Sequence, residues 1–178
     1  MDLTEKTIGR ELIFKGNIIR VRKDTVLLPN GKTSTREVVE HNGGVCVVPL
    51  TDRSEVVFVR QFRYPYGQVL LEIPAGKRDG DEDPLVCGKR ELKEETGAEA
   101  DEYIGLGELY PSPGYCGEVI TMYLAKGLHF GQCSPDDDEF LLVEKIPLDT
   151  AVQMILNGEI KDSKTQAAIL KTRLMLSK

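Results

Sequence analysis

The sequence predicts an α+β protein: a mixed β-sheet packed between helices, preceded by a smaller antiparallel sheet at the N-terminus. Three observations lead there. Alternating or continuously apolar stretches bounded by Gly, Pro, Asn and Asp recur along most of the chain. One helical segment with its own start and stop signals lies between them, and two more close the chain. The N-terminal stretches alternate with strand period but are too few to be stable without cover from another surface.

Taken in order, ELIFKGNIIRVRKDTVLL and TSTREVVEH read as strands around the turn PNGK, where Asn30-Gly31 offers the positive backbone angles of a tight hairpin. GGVCVVPL and EVVFVRQFRY are nearly continuous apolar strands separated by TDRS, and VLLEIPAG is a third. A helix is predicted over 84–96: Asp83 caps it, Pro84 suits its first turn, and Gly97 ends it. YIGLGELY and VITMYLAKGL are strands around the loop PSPGYCGE, and FLLVEKIPL is another after the acidic loop SPDDDE. LDTAVQMILNGEI and DSKTQAAILKTRLML read as amphipathic helices, with Asp149 and Asp162 as caps. The expected division is a sheet over 1–42 and a main domain over 43–178.

Composition narrows the function. A chain of 178 residues with 40% hydrophobic and 29% charged residues is an ordinary globular protein. It has no apolar run long enough for a membrane helix and no secretory leader pattern, so the expectation is a cytoplasmic protein without a membrane partner. The net charge of -6 argues against a broad nucleic-acid surface. Cys46, Cys87, Cys116 and Cys133 form no CxxC pair, which reads as reduced, mostly buried thiols.

The stretch GKRELKEETG carries the chemistry. On a helix, Glu91 and Glu95 stack on one face with Glu94 beside them, a repulsive arrangement that costs only tenths of a kcal/mol if solvated. By itself it is as consistent with a solvated face as with a cation site. The wider spacing decides: Gly76, Glu82, Arg90, Glu91, Leu92, Glu94, Glu95, Gly97 and Ala98 fit G-x5-E-x7-R-E-U-x-E-E-x-G-U, with only the last apolar position small. This is the Nudix box, and the chain resembles a Nudix hydrolase.

The resemblance implies the Nudix fold and a metal-dependent cleavage of phosphoanhydrides. A pyrophosphate repels an attacking water, so divalent cations must neutralise its oxygens and acidify the water. Hard oxygen ligands suit Mg2+, with Mn2+ as an alternative. The family pattern assigns the metal to Glu91, Glu94, Glu95 and a carbonyl, that of Ala75. Arg90 orients the glutamates and Glu82 supports them from the loop.

Flanking residues resemble the ADP-ribose pyrophosphatase branch. Pro113 lies sixteen residues beyond Gly97 in YPSPGYCGE, and REVVEHNGGV, VRQFRYPYG, LLEIPAG and DDDEF fit the same branch. That likeness implies a homodimer in which the N-terminal sheet crosses to the partner subunit. It also implies that Arg63 binds the diphosphate or terminal ribose, with Phe62, Tyr64 and Tyr66 nearby. Glu72 would take a sugar hydroxyl or adenine amine, and Arg36 would reach the adenine or phosphates of the other subunit. Each of these has an alternative as a surface ion pair, and Pro113 as a simple turn. Glu139, or else Asp137, would serve as the general base on a loop that closes over substrate. The implied reaction turns ADP-ribose into AMP and ribose 5-phosphate. Rival readings are hydrolysis of another nucleoside diphosphate sugar such as GDP-mannose, and a non-catalytic nucleotide sensor.

Overall fold

A computed structural model describes residues 2–134 and 140–177. The chain divides into two units, residues 1–43 with 110–119, and residues 44–109 with 120–178.

In the first unit, β1 (Lys6–Lys15), β2 (Arg20–Leu27) and β3 (Thr33–Glu40) form an antiparallel sheet in sequence order. The long stretch predicted as ELIFKGNIIRVRKDTVLL is two strands, because the chain reverses at Gly16, whose amide donates to the Ile19 carbonyl at 2.9 Å. At the Asn30-Gly31 turn only Gly31 takes a positive φ, and Asn30 instead uses its side chain to accept from the Lys32 amide at 3.0 Å. The 110–119 loop lies along β3: the Val39 amide donates to Tyr115 O at 2.8 Å and the Gly117 amide to Val39 O at 2.9 Å.

The second unit holds two sheets. One is antiparallel, with β5 (Glu55–Arg63) between β10 (Leu142–Pro147) and β6 (Gln68–Glu72). The other is mixed, in the order β7 (Ala75–Lys77), β4 (Gly44–Pro49), β9 (Ile120–Phe130), β8 (Ala98–Leu109), with β4 and β9 parallel. VLLEIPAG, expected as one strand, therefore changes sheets at Ile73-Pro74: Glu72 ends β6 in the first sheet and Ala75 begins β7 in the second. Proline has no amide to offer a ladder, so a break there costs no strand hydrogen bond.

Strand β4 shows why its apolar run is unbroken, since both of its faces are covered. Val45 and Val47 pack with Cys87 and Leu92 of α1 (Pro84–Thr96). Cys46 and Val48 belong to the larger core with Phe58, Ile73, Ala151 and Ile155 of α2 (Leu148–Leu156), and Ala168 and Ile169 of α3 (Ser163–Met175). Burial pushes the Cys46 and Cys87 thiols up to about 12. All four cysteines are free, and Cys133 is exposed rather than buried.

Helix α1 has the predicted bounds. Asp83 Oδ1 accepts from the amides of Leu85 at 2.9 Å and Val86 at 3.2 Å, and Gly97 closes the helix at φ 69°. Asp83→Ala is expected to cost about 1 kcal/mol of unfolding free energy, read from urea denaturation. A loss below a few tenths would mean the cap carries little. The expectation for Asp149 fails: α2 starts after Pro147 with no side-chain cap, and Asp149 sits in its first turn, bonded to Arg173 Nε at 2.6 Å. Asp162 does cap α3, accepting from the Thr165 amide at 2.9 Å. Amphipathicity in α3 is incomplete, because its buried side includes Lys164, Thr165 and Thr172 beside Ala168 and Ile169. No described helix is long and apolar enough to cross a membrane.

Candidate active site

The second unit brings most of the predicted site residues onto α1 and the segment Glu72–Lys77. Helical geometry places Glu91 and Glu95 one turn apart, both largely buried. Strand β7 runs beside that face. The Ala75 amide donates to Glu95 Oε2 at 3.2 Å, and a methyl group at Gly76 would lie 1.9 Å from the Glu91 carboxyl carbon. Glycine at this position is thus a matter of close approach: its missing side chain is the space the Glu91 carboxylate occupies.

Arg90 is the shared cation of the cluster. Its guanidinium lies 2.8 Å from Glu91 Oε1, 2.9 Å from Glu94 Oε2 and 3.2 Å from Glu82 Oε2. These contacts raise the guanidinium pKa, with the Glu82 hydrogen bond the largest cause, and Arg90 in turn holds the Glu82 carboxyl below its ordinary value. Leu92 is fully buried on the core side of the helix. Beyond Gly97 the chain returns to the same helix end. The Ser134 amide donates to Glu94 O at 3.0 Å, and Cys133 Sγ lies 3.1 Å from the carbonyls of both Glu94 and Glu95. Asp137 and Glu139 lie outside the described residues.

Among the described residues no group of three acidic, imidazole or thiol side chains is gathered closely enough to enclose a cation. The donor set still fits one. Glu91, Glu94, Glu95 and the Ala75 carbonyl are hard oxygen donors suited to Mg2+ or Mn2+. With Glu82, two of them place three carboxylates around the guanidinium of Arg90, Glu95 meets the Ala75 amide, and the glycine cradle holds Glu91 against β7.

At the other end of the segment, Arg63 and Glu72 meet each other. Arg63 Nε and Nη2 donate to the two carboxylate oxygens of Glu72 at 2.7 and 2.8 Å. Glu72 is 1% exposed, and Lys164 Nζ also bonds its Oε2. Burial pushes the Glu72 carboxyl up, but the two cations outweigh it and leave it below the ordinary range. Lys164 lies 3.1 Å from Asp162 Oδ2, and its own pKa is raised because Asp162 and Glu72 outweigh its burial. The hydroxyl of Thr165 accepts from the Ile73 amide at 3.0 Å and donates to Asp162 at 2.6 Å. Phe62, Tyr64 and Tyr66, beside Arg63 in sequence, are exposed.

Sequence reasoning missed Lys164, Asp162 as its counter-ion, and Thr165. The one available signal was the placement of a lysine and a threonine on the side of α3 that also carries Ala168 and Ile169. Two other candidates belong to the first unit. Arg36 bonds Glu5 through both Nε and Nη2, and Pro113 lies in a turn closed by the Cys116 amide donating to Ser112 O at 2.9 Å.

Two family models match the chain in succession. The model of the NUDIX domain matches residues 40–167, and that of the nucleoside diphosphate sugar hydrolase N-terminal domain matches residues 5–39. A methanol dehydrogenase activator of Bacillus methanolicus is 44% identical over 167 residues, which are 93% of this chain and 90% of that protein. An ADP-ribose pyrophosphatase of Bacillus subtilis (strain 168) is 40% identical over 169 residues, covering 94% and 91%. The crystal structure of an ADP compounds hydrolase matches with a TM-score of 0.87 at 21% identity, covering 99% of this chain and 97% of that one, a likeness of fold.

Proposed function

Because this chain belongs to the Nudix domain family and is a pyrophosphohydrolase of that family, we propose that it hydrolyses the pyrophosphate of ADP-ribose to AMP and ribose 5-phosphate. One observation carries the reading. The short segment from Glu72 to Gly76 joins a guanidinium fork, that of Arg63, to the carboxylates of α1. A diphosphate spanning that distance would meet a cation at one end and hard oxygen donors at the other. The choice of ADP-ribose is supported by the likeness, over nearly the whole chain, to the B. subtilis enzyme of that name.

Nudix hydrolases require a divalent cation. Glu91, Glu94, Glu95 and the Ala75 carbonyl would hold it, and it would supply neutralisation of the diphosphate charge and acidification of the attacking water; we assign it as Mg2+, with Mn2+ able to substitute. Arg90 ties Glu91 and Glu94 of α1 to Glu82 of the preceding loop. The Nη1 amine of Arg63, which takes no part in the pair with Glu72, would donate to the diphosphate and stabilise charge as it develops. Glu72 then serves chiefly to aim Arg63, although one lone pair on Oε1 remains for a substrate hydroxyl. Glu139, with Asp137 as the alternative, is our assignment for the base that takes the water proton.

Residues 1–42 are assigned to dimerisation and 43–178 to the hydrolase domain. The homodimer is supported by Leu12, Ile13 and Phe14 of β1, more than half exposed and apolar. Arg36 and Pro113, in the unit that carries this sheet, are assigned to substrate contacts made through the dimer. Free cysteines accord with a cytoplasmic location.

The test is hydrolysis of a panel of ADP-ribose, GDP-mannose, NADH, diadenosine compounds and nucleoside triphosphates with Mg2+. ADP-ribose is expected to give the highest kcat/KM, with AMP and ribose 5-phosphate as products. Preference for GDP-mannose would move the substrate within the nucleoside diphosphate sugars, and no cleavage at all would overturn the reading. The likeness to a dehydrogenase activator favours a second reading in which this chain also regulates a partner enzyme. An effect on a partner dehydrogenase that survives loss of hydrolysis would separate that role from catalysis.

A further inference from the structure

Among the described residues, Lys164 is the one lysine or arginine that is buried. A buried ammonium is costly unless paired, and this one sits third in a line of alternating charges: Arg63, Glu72, Lys164, Asp162. The two ends of the line differ. Asp162 is bound into the start of α3 by the Thr165 amide and hydroxyl. Arg63 ends the line with its side chain 37% exposed and its Nη1 amine outside the Glu72 pair.

That order has an electrostatic consequence. Alone, Arg63 and Glu72 would form a neutral pair with little attraction for an anion. Lys164 takes part of the Glu72 charge, so the three-member group carries a net positive charge that reaches the surface at Arg63. Asp162 brings the four-member line to neutrality, but from the far end, so the positive end of the line lies at Arg63. We propose that Lys164 is a positioning residue of the substrate-anion site, sharing Glu72 with Arg63 so that the Arg63 guanidinium stays aimed and cationic toward the diphosphate. The proposal rests on the reading of Arg63 as a diphosphate ligand.

The line of charges makes two substitutions act in opposite directions. Lys164→Met leaves an unbranched side chain one atom shorter and removes the charge. It is expected to weaken binding of ADP about tenfold, a loss of about 1.4 kcal/mol. KM should rise in parallel with kcat within about threefold, because the carboxylates of α1 are untouched. Asp162→Asn retains an N-cap acceptor of equal rank while removing the opposing charge, and is expected to tighten ADP binding about twofold. A purely structural Lys164 predicts otherwise: lower melting temperatures for both variants and no opposite movement of affinity.

The experiment is calorimetric titration of the whole protein with ADP, alongside kcat and KM for the best substrate of the panel. An ADP Kd for Lys164→Met within threefold of wild type overturns the proposal. So does Asp162→Asn weakening binding as much as Lys164→Met, or a Lys164→Met loss confined to kcat. If Lys164→Met does not fold, Asp162→Asn decides, with tighter binding supporting the proposal and unchanged or weaker binding overturning it. A wild type that cleaves no ADP-ribose sinks the functional reading alone, since the ADP affinities still judge Lys164. A wild type that binds no ADP overturns the role of Lys164.

Discussion

Glu95→Gln lowers kcat by at least about 10³-fold while the protein stays folded; this is the largest effect we expect from one substitution. Glu95 is 2% exposed on the face of α1 that meets β7, and its Oε2 accepts from the Ala75 amide. Glutamine keeps an acceptor for that amide and nearly the same volume, so the local fold has little reason to change. What disappears is a negative charge beside the proposed diphosphate site. A loss of 10³-fold corresponds to about 4 kcal/mol of transition-state stabilisation, the size of effect that follows when a hard cation loses a charged oxygen ligand. The check is kcat on the best panel substrate at saturating Mg2+, with a thermal melt beside it. The paramagnetic signal of added Mn2+ gives a second readout, since weaker binding in the variant ties the loss to the cation. A variant retaining more than a tenth of wild-type kcat would remove Glu95 from the ligand set.

Gly76→Ala is expected to cost about 100-fold in kcat, about 2.7 kcal/mol, with a small change in melting temperature. The added methyl would lie 1.9 Å from the Glu91 carboxyl carbon and 2.0 Å from its Oε1, so one of them must move. The end of a glutamate swings more easily than a strand, and the fold survives the change. The carboxylate does not stay where Arg90 and β7 hold it. Comparing kcat with the melting midpoint separates the two consequences. Activity within fivefold of wild type would mean that the position of Glu91 against Gly76 has no part in catalysis, and a melting temperature lowered by tens of degrees would mean that the glycine is needed for folding instead.

Several features were legible from residues alone because their causes are local. The bounds of α1 follow from Asp83, Pro84 and Gly97, each acting within a turn of the helix end. Likewise, the grouping of Glu91, Glu94 and Glu95 follows from helical spacing. Asp149 has the right chemistry for a cap, but the cap position falls two residues earlier, at Pro147, which leaves Asp149 inside the first turn. In VLLEIPAG the apolar pattern continues across Ile73-Pro74, so hydrophobicity alone conceals the change of sheet.

The sequence by itself determined the helix that carries the carboxylates, its caps, and the spacing of the Nudix box, since these depend on backbone geometry over a few residues. Only the tertiary structure decided that Gly76 faces Glu91, that Arg63 and Glu72 bind each other, and that Lys164 and Thr165 of α3 support the strand leading into the site. Arg63 and Glu72 meet across the neighbouring strands β5 and β6, whose pairing the sequence does not state. The other partners meet because the break at Pro74 sends one strand into two sheets, and because α3 must bury its apolar side on β4, which carries its polar residues inward as well.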